Sequence, residues 1–364
     1  MIACLSPNGQ NLNSGEDQPT RLLVATLRGV SLLERARPGA AWVDRGRTLD
    51  GHHCSSLMIE PRRGGVFAGM HSGGLYFSPD GGATWEPRMR GITIKHVFSL
   101  GYAHDRDVTV LYAGTEPASM FRSDDYGESW IELPGIKETA GREKWSFPSP
   151  PHFAHVKTMT IDPRDPKVIY AGVEQGDLLK TTDGGATWRV LDDYSKPSDW
   201  TYRDIHLVVV HPANSAELYM TTGMGLYRSL DAGETWTLEV DNSFCIGYPD
   251  HLIVSPRDGN TMFMAGAGAN PGVWQKSHRA ETTIVRTHDR GKTWTDTSKG
   301  LPQDRRANVE ALSIAAHSGG FTLFTGTTDG EVFASENEAD SWTLIGRALA
   351  PITKGNHYRS LQPA

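Results

Sequence analysis

Cysteine is scarce: Cys4, Cys54 and Cys245 are the only three in 364 residues, far apart and odd in number. That excludes a disulfide framework and any zinc-finger spacing, and it fits a reducing compartment. No stretch approaches the about 18 consecutive apolar residues of a membrane-spanning helix. The opening, MIACLSPNGQNLNSGEDQPT, has neither the basic start nor the apolar run of a secretory leader. A soluble, cytoplasmic protein is the expectation. Positive charge is also short, with 36 Lys and Arg scattered among 43 Asp and Glu for a net charge of −7. Nucleic acid and anionic membranes are therefore not expected as partners; a small molecule is, and homo-oligomerisation is left open. A Gly-rich phosphate loop, G-x-S-x-G and C-x-x-C are all missing.

What the chain has is glycine, 39 residues, and tryptophan, ten, the composition of a turn-rich β protein. One octad recurs: SPDGGATW (78–85), SDDYGESW (123–130), TTDGGATW (181–188), SLDAGETW (229–236), THDRGKTW (287–294) and a worn SENEADSW (335–342). Its chemistry is that of a hairpin connection. The Asp side chain accepts backbone N–H groups within the turn, Gly takes a conformation a Cβ resists, and Trp buries its indole between neighbouring sheets. The octads resemble the Asp-box, or BNR, repeat of sialidase-like proteins, sortilin-type receptors and photosystem assembly factors, over nearly the whole chain. The resemblance implies a β-propeller with the octads as structural turns on one rim.

Around each octad the same four short strands recur, as in HVKTMTIDPRDPKVIYAGVEQGDLLKTTDGGATWRVL, with 43 to 58 residues from Trp to Trp between Trp42 and Trp342. That is one propeller blade per repeat. The reading is an all-β, seven-bladed propeller: a 1–20 N-terminal extension, then a single domain over 21–364. Its blades lie near 21–45, 52–88, 95–133, 154–191, 203–239, 248–297 and 308–346. The first blade lacks an innermost strand, and HYRSL (357–361), matching HCSSL (53–57) and HVFSL (96–100), is expected to supply it. Residues 356–363 then close the ring as the C-terminal strand of the N-terminal blade.

Aligned innermost strands begin with His357, His53, His96, His155, Asp204, Tyr248 and Asn308. Two residues on, and on the same side by the period of two, come Arg359, Ser55, Phe98, Lys157, His206, Asp250 and Glu310. These positions face the central channel at the mouth opposite the octads. Neutral imidazoles from adjacent blades make a metal centre in outline, with His53, His96, His155 and His357 as ligands to Fe, Zn, Mn or Cu and Glu116 and Glu174 behind them fixing tautomers. A bland alternative stands beside it, in which a repeat inherits one His per blade and bonds it to loop carbonyls and water.

Glu310, Asp250, Lys157, Tyr248 and Arg359 are the candidate catalytic groups. Arg28, His71, His206 and Asp204 are candidate substrate contacts. Trp145 and Trp274, carried by the insertions 137–154 and 266–287, are read as walls over the mouth; Trp200 in 195–203 adds to the same wall. The expectation is a metal-dependent hydrolase or lyase, with oxygen-dependent cleavage left open, acting on a small organic or sugar-acid substrate. Its alternatives are a non-catalytic binding scaffold and a metal-independent glycoside hydrolase using two carboxylates. A sialidase proper is disfavoured because no FRIP-like segment occurs.

Overall fold

The computed structural model describes residues 1–194, 203–355 and 357–361. Seven sheets of four or five strands follow one another along the chain. The blade expected at 95–133, for example, comprises strands His96–Asp105, Val108–Glu116, Met120–Ser123 and Ile131–Leu133 in spatial order. The apolar core lies between blades. One cluster joins Ala3, Leu5 and Leu22 of blade one to Ala311, Phe324 and Val332 of blade seven. Among the described residues no helix is long and apolar enough to cross a membrane.

The octads make the turn before the outer strand in six of the blades. In the first, Asp80 Oδ1 accepts the backbone N–H of Ala83 at 3.0 Å and of Thr84 at 2.9 Å, and Ser78 Oγ accepts that of Gly82 at 2.7 Å. Gly82 sits at φ +93°, the left-handed region that favours glycine. The worn copy keeps the turn with Asn337 in place of Asp and Ala339 at φ +67°.

Ring closure differs from the sequence expectation. Blade one takes its innermost strand from Ile2–Leu5, which pairs in parallel with Arg21–Thr26. Residues 357–361 carry no strand; His357–Ser360 form a short helix instead. The physical reason is burial on both faces. Ala3, Cys4 and Leu5 are fully buried between blades, as an innermost strand requires, whereas Arg359 in the C-terminal run is exposed. Residues 1–20 are thus no extension. Leu12–Ser14 also adds an innermost, parallel strand to blade seven. Asn13 links the two closures, its Oδ1 accepting the Cys4 N–H at 3.0 Å and its Nδ2 donating to the Cys4 carbonyl at 3.2 Å.

One irregularity recurs in six blades and positions the site. The ladder between first and second strands skips Ser55, Phe98, Lys157, His206, Asp250 and Glu310. Each is the extra residue of a β-bulge, a device that turns a side chain out of the ladder. The residue after the bulge faces Gly69, Gly114, Gly172 or Gly326 in four of the six. Space demands it: a Cβ on Gly172 would lie 2.6 Å from Thr158 Cγ2 and 2.7 Å from Ile205 Cγ2.

Candidate functional site

The bulges send their side chains into a channel closed in the middle by ion pairs. Lys157 donates to Glu174, and its Nζ lies 3.7 Å from Asp250 Oδ1. Lys354 donates to both oxygens of Asp250 at 2.5 and 2.6 Å. Asp204 accepts from the Tyr248 hydroxyl. His155 bridges two carboxylates, Nε2 to Glu174 Oε2 at 2.5 Å and Nδ1 to Glu116 Oε2 at 3.1 Å. Glu310 accepts from the Thr353 hydroxyl at 2.8 Å and the Lys354 N–H at 3.1 Å.

This pairing is what allows so many buried charges. Burial opposes ionisation of Glu174 and Asp250, but Lys157 beside the one and Lys354 beside the other hold both well below the usual carboxylate range. Burial likewise opposes the charge on Glu116, which its hydrogen bond to His155 keeps low. Against its own desolvation, Glu116 and Glu174 together keep His155 protonated above an ordinary imidazole. Burial lowers the Lys157 ammonium. Burial, with Asp204 close by, raises the Tyr248 phenol well beyond its normal range. Among the described residues, five channel carboxylates (Glu116, Glu174, Asp204, Asp250 and Glu310) face Lys157, Lys354 and the His155 imidazolium.

Above this layer, at the mouth, a cavity of about 130 Å³ is walled by Phe98, Phe147, Pro150 and Pro151 and by His71 and His96, with Glu116, His155, Glu174 and Lys354 at its base. His96 is 36 % exposed and places Nδ1 3.3 Å from Glu116 Oε1. His71 stands between His53 and His96, with ring centroids 5.1 and 5.2 Å away. Burial and the neighbouring His53 lower its pKa to about 4, so it is neutral at physiological pH. Phe98 stacks on His155 at 4.0 Å and Phe147 approaches it at 5.0 Å. Below the ion-pair layer a second cavity of about 180 Å³ is lined by Lys157, His206, Asp250 and His251 and by the crossing segment Ser6–Asn11.

The expected four-histidine centre is not assembled. The one group of three potential ligands among the described residues is Glu174, Asp204 and His206, with ligand atoms within 4.8 Å of one another. His155 has both nitrogens engaged by carboxylates. His53 Nε2 meets the Thr353 carbonyl at 2.8 Å, and burial lowers its pKa. His357 belongs to the C-terminal helix; its side chain lies outside the described residues. Glu116 and Glu174 do sit behind imidazoles as expected.

Other expectations need correcting. Arg359 is on the surface, its guanidinium on the Tyr358 hydroxyl at 3.2 Å, because residues 357–361 do not enter the channel. Trp274 is 1 % exposed, its indole donating to the Ala269 carbonyl at 2.7 Å. It anchors the helix Pro271–Ser277 against Tyr248 and Leu361 and is not part of the lining of the mouth cavity. Trp145 is tied to Asp177 at 2.6 Å and borders a neighbouring cleft with Lys137, Arg142 and Phe153. Arg28 is exposed on its blade-one loop. Asp204, His206, Tyr248, Lys157 and Asp250 are channel residues as expected, but they are buried and absent from the lining of the mouth cavity. Tyr248 donates its hydroxyl to Asp204, and burial raises its pKa. Trp200 falls outside the described residues.

The element missed from sequence is the segment Pro351–Gly355. Its Thr353 and Lys354 plug the channel and bond Glu310, Asp250 and His53. The available signal was a lone Lys after Ile352 and Thr353, in a stretch with neither octad nor strand pattern.

No protein-family model matches the chain. By sequence it is similar to a xyloglucanase of Paenibacillus sp, 23 % identical over 272 residues, which is 66 % of this chain and 25 % of that enzyme. It is also similar to xyloglucanase Xgh74A of Acetivibrio thermocellus, 25 % identical over 288 residues, 65 % of this chain and 31 % of that one. The chain thus spans about a quarter to a third of the length of these relatives. Among solved structures it resembles an ancestral GH74 enzyme, with a TM-score of 0.61 and 17 % identity over 80 % of this chain and 38 % of the other. It also resembles YCF48 bound to D1 peptide, with a TM-score of 0.54 and 15 % identity over 86 % and 87 % of the two chains. These likenesses establish the seven-bladed β-propeller.

Proposed function

We propose that the chain is a carbohydrate-acting propeller, a glycoside hydrolase whose reaction needs no metal, with the sugar bound in the histidine-rimmed mouth. The observation that carries this reading is the composition of that cavity. Phe98, Phe147 and the two prolines offer apolar faces for the C–H surface of a pyranose, with the polar groups of Glu116 at the base and His96 in the wall. The likeness to xyloglucanases supports the substrate class.

Glu116 is ionised, since its pKa is depressed. Its role is to activate water or to stabilise positive charge at the anomeric carbon. The proton for the leaving oxygen comes from His96, which touches Glu116 and reaches the open cavity. Water enters, one glycosidic bond breaks, and Lys157 and Lys354 hold the remaining carboxylates out of the reaction. The test is release of reducing ends from xyloglucan and other β-glucans. Glu116→Gln should lower kcat/KM by about 100-fold or more, on the scale of lost general acid–base catalysis, with KM little changed. Glycan binding without turnover, or neither, overturns the hydrolase.

A second reading is favoured by one observation: the likeness to YCF48 runs over nearly the full length of both chains. It is a binding scaffold whose channel is plugged by its own Lys354. It requires a saturable protein or peptide ligand and predicts no loss of binding in Glu116→Gln.

A further inference from the structure

Beneath the mouth, Glu174, Asp204 and His206 bring a carboxylate oxygen each and a ring nitrogen within 4.8 Å of one another. They come from different blades: Glu174 ends the strand Ile169–Glu174, and His206 is the bulged residue of Ile205–His211. The tautomer of His206 is set from outside the group. Its Nδ1 lies 2.6 Å from the Pro249 carbonyl, which can only accept, so Nδ1 carries a proton and in the neutral ring the lone pair is on Nε2. His206 is 3 % exposed, and Nε2 has no hydrogen-bond partner. The nearest acid oxygen, Asp204 Oδ2, is 3.4 Å away.

A buried lone pair aimed at a carboxylate is unfavourable unless a proton or a metal cation lies between them. The charge balance points the same way: with His206 neutral, the five channel carboxylates meet three cations among the described residues, so a bound cation would add charge of the sign in deficit. An imidazole with its far N–H on a backbone carbonyl is also how a metal-binding histidine is oriented.

We propose that Glu174, Asp204 and His206 form a binding site for one divalent transition-metal ion of the zinc and manganese class, a structural ion bracing blades four and five across the channel. The donor set, two carboxylates and one imidazole, suits such ions. The ligand atoms stand slightly wider than bonds of about 2.0–2.2 Å require, so binding draws them inward. The ion reaches them through the lower cavity, where His206 is part of the wall. The proposal does not rest on the glycoside reading, because these ligands lie outside the mouth cavity except for Glu174.

The experiment strips the full chain with chelator, dialyses it, and titrates it with zinc and with manganese chloride, reading stoichiometry by calorimetry and elemental analysis. One equivalent per chain is expected, with the thermal midpoint rising on loading. His206→Gln should weaken uptake at least tenfold, while the double variant His53→Gln and His96→Gln retains it. No uptake by the folded wild type, uptake unchanged in His206→Gln, or loss confined to the His53 and His96 variant overturns the assignment. Should His206→Gln fail to fold, the wild type decides: zinc must shift the ¹⁵N resonance of one buried ring with a protonated Nδ1, and histidine resonances that all stay put overturn it.

Discussion

At the scale of single residues, the channel reads as imidazoles assigned to opposite tasks by their surroundings. His155, clamped by two carboxylates, holds its proton. His71, a few ångströms away between two other rings, resists one and titrates at about 4 instead of 6.5. A group that binds protons less well folded than unfolded lowers stability where the unfolded chain is protonated and the native one is not. The stability held by keeping His71 neutral is therefore complete above pH 6.5 and is lost as pH falls towards 4. Urea midpoints at pH 7 and pH 5 check this. The wild type should lose stability between them, and His71→Asn should lose less. An equal loss in both proteins would show that His71 is not the group responsible. These roles could not be read from sequence, because His53, His96 and His155 stand alike at the start of innermost strands and only tertiary neighbours distinguish them and His71.

At the scale of the element, the bulged first strand is the unit that builds the site. Sequence did expose which residues face the channel: counting two from the first residue of each strand picks out Lys157, His206, Asp250 and Glu310, the bulged ones. It did not expose the bulge, whose local trace is a Gly two residues before the end of the second strand, as in the Ala-Gly pairs at 113–114 and 171–172. Those glycines permit close approach rather than positive φ. Gly172→Ala would place a methyl group within 2.7 Å of Thr158 and Ile205 side chains, which must move or push the strand outward. The cost expected is about 1–3 kcal/mol, as for overpacking elsewhere. Chemical denaturation measures it. Gly141→Ala is the comparison, since nothing lies within 4 Å of that Cβ; its own cost comes from φ +83° alone.

At the scale of the whole molecule, repeat count and blade order were legible because each octad folds by local turn chemistry, whereas closure depends on which terminus has enough apolar surface to be buried on both sides. HYRSL matched the first-strand pattern by letters, yet IACL had the burial. The consequence separates the two ends of the chain in their contribution to stability. Deleting residues 1–14 removes Ala3, Cys4 and Leu5 from complete burial. It takes away the Asn13 link to Cys4 and leaves Arg21–Thr26 as an open edge. Burial of one such apolar side chain is worth about 1.5–3 kcal/mol, and a domain's whole stability is about 5–15 kcal/mol. The shortened ring should therefore lose its cooperative thermal transition or accumulate as aggregate. A chain stopped at Gly355 keeps the Lys354 plug and loses the packing of Leu361 on Trp274 and the Arg306 contact to its carbonyl. Its transition should remain cooperative, a few degrees lower at most on the scale of about 2–4 °C per kcal/mol in larger domains. Circular dichroism melts of the two truncations make the comparison, and the reverse ranking would mean that the C-terminal segment, not the N-terminal strands, closes the propeller.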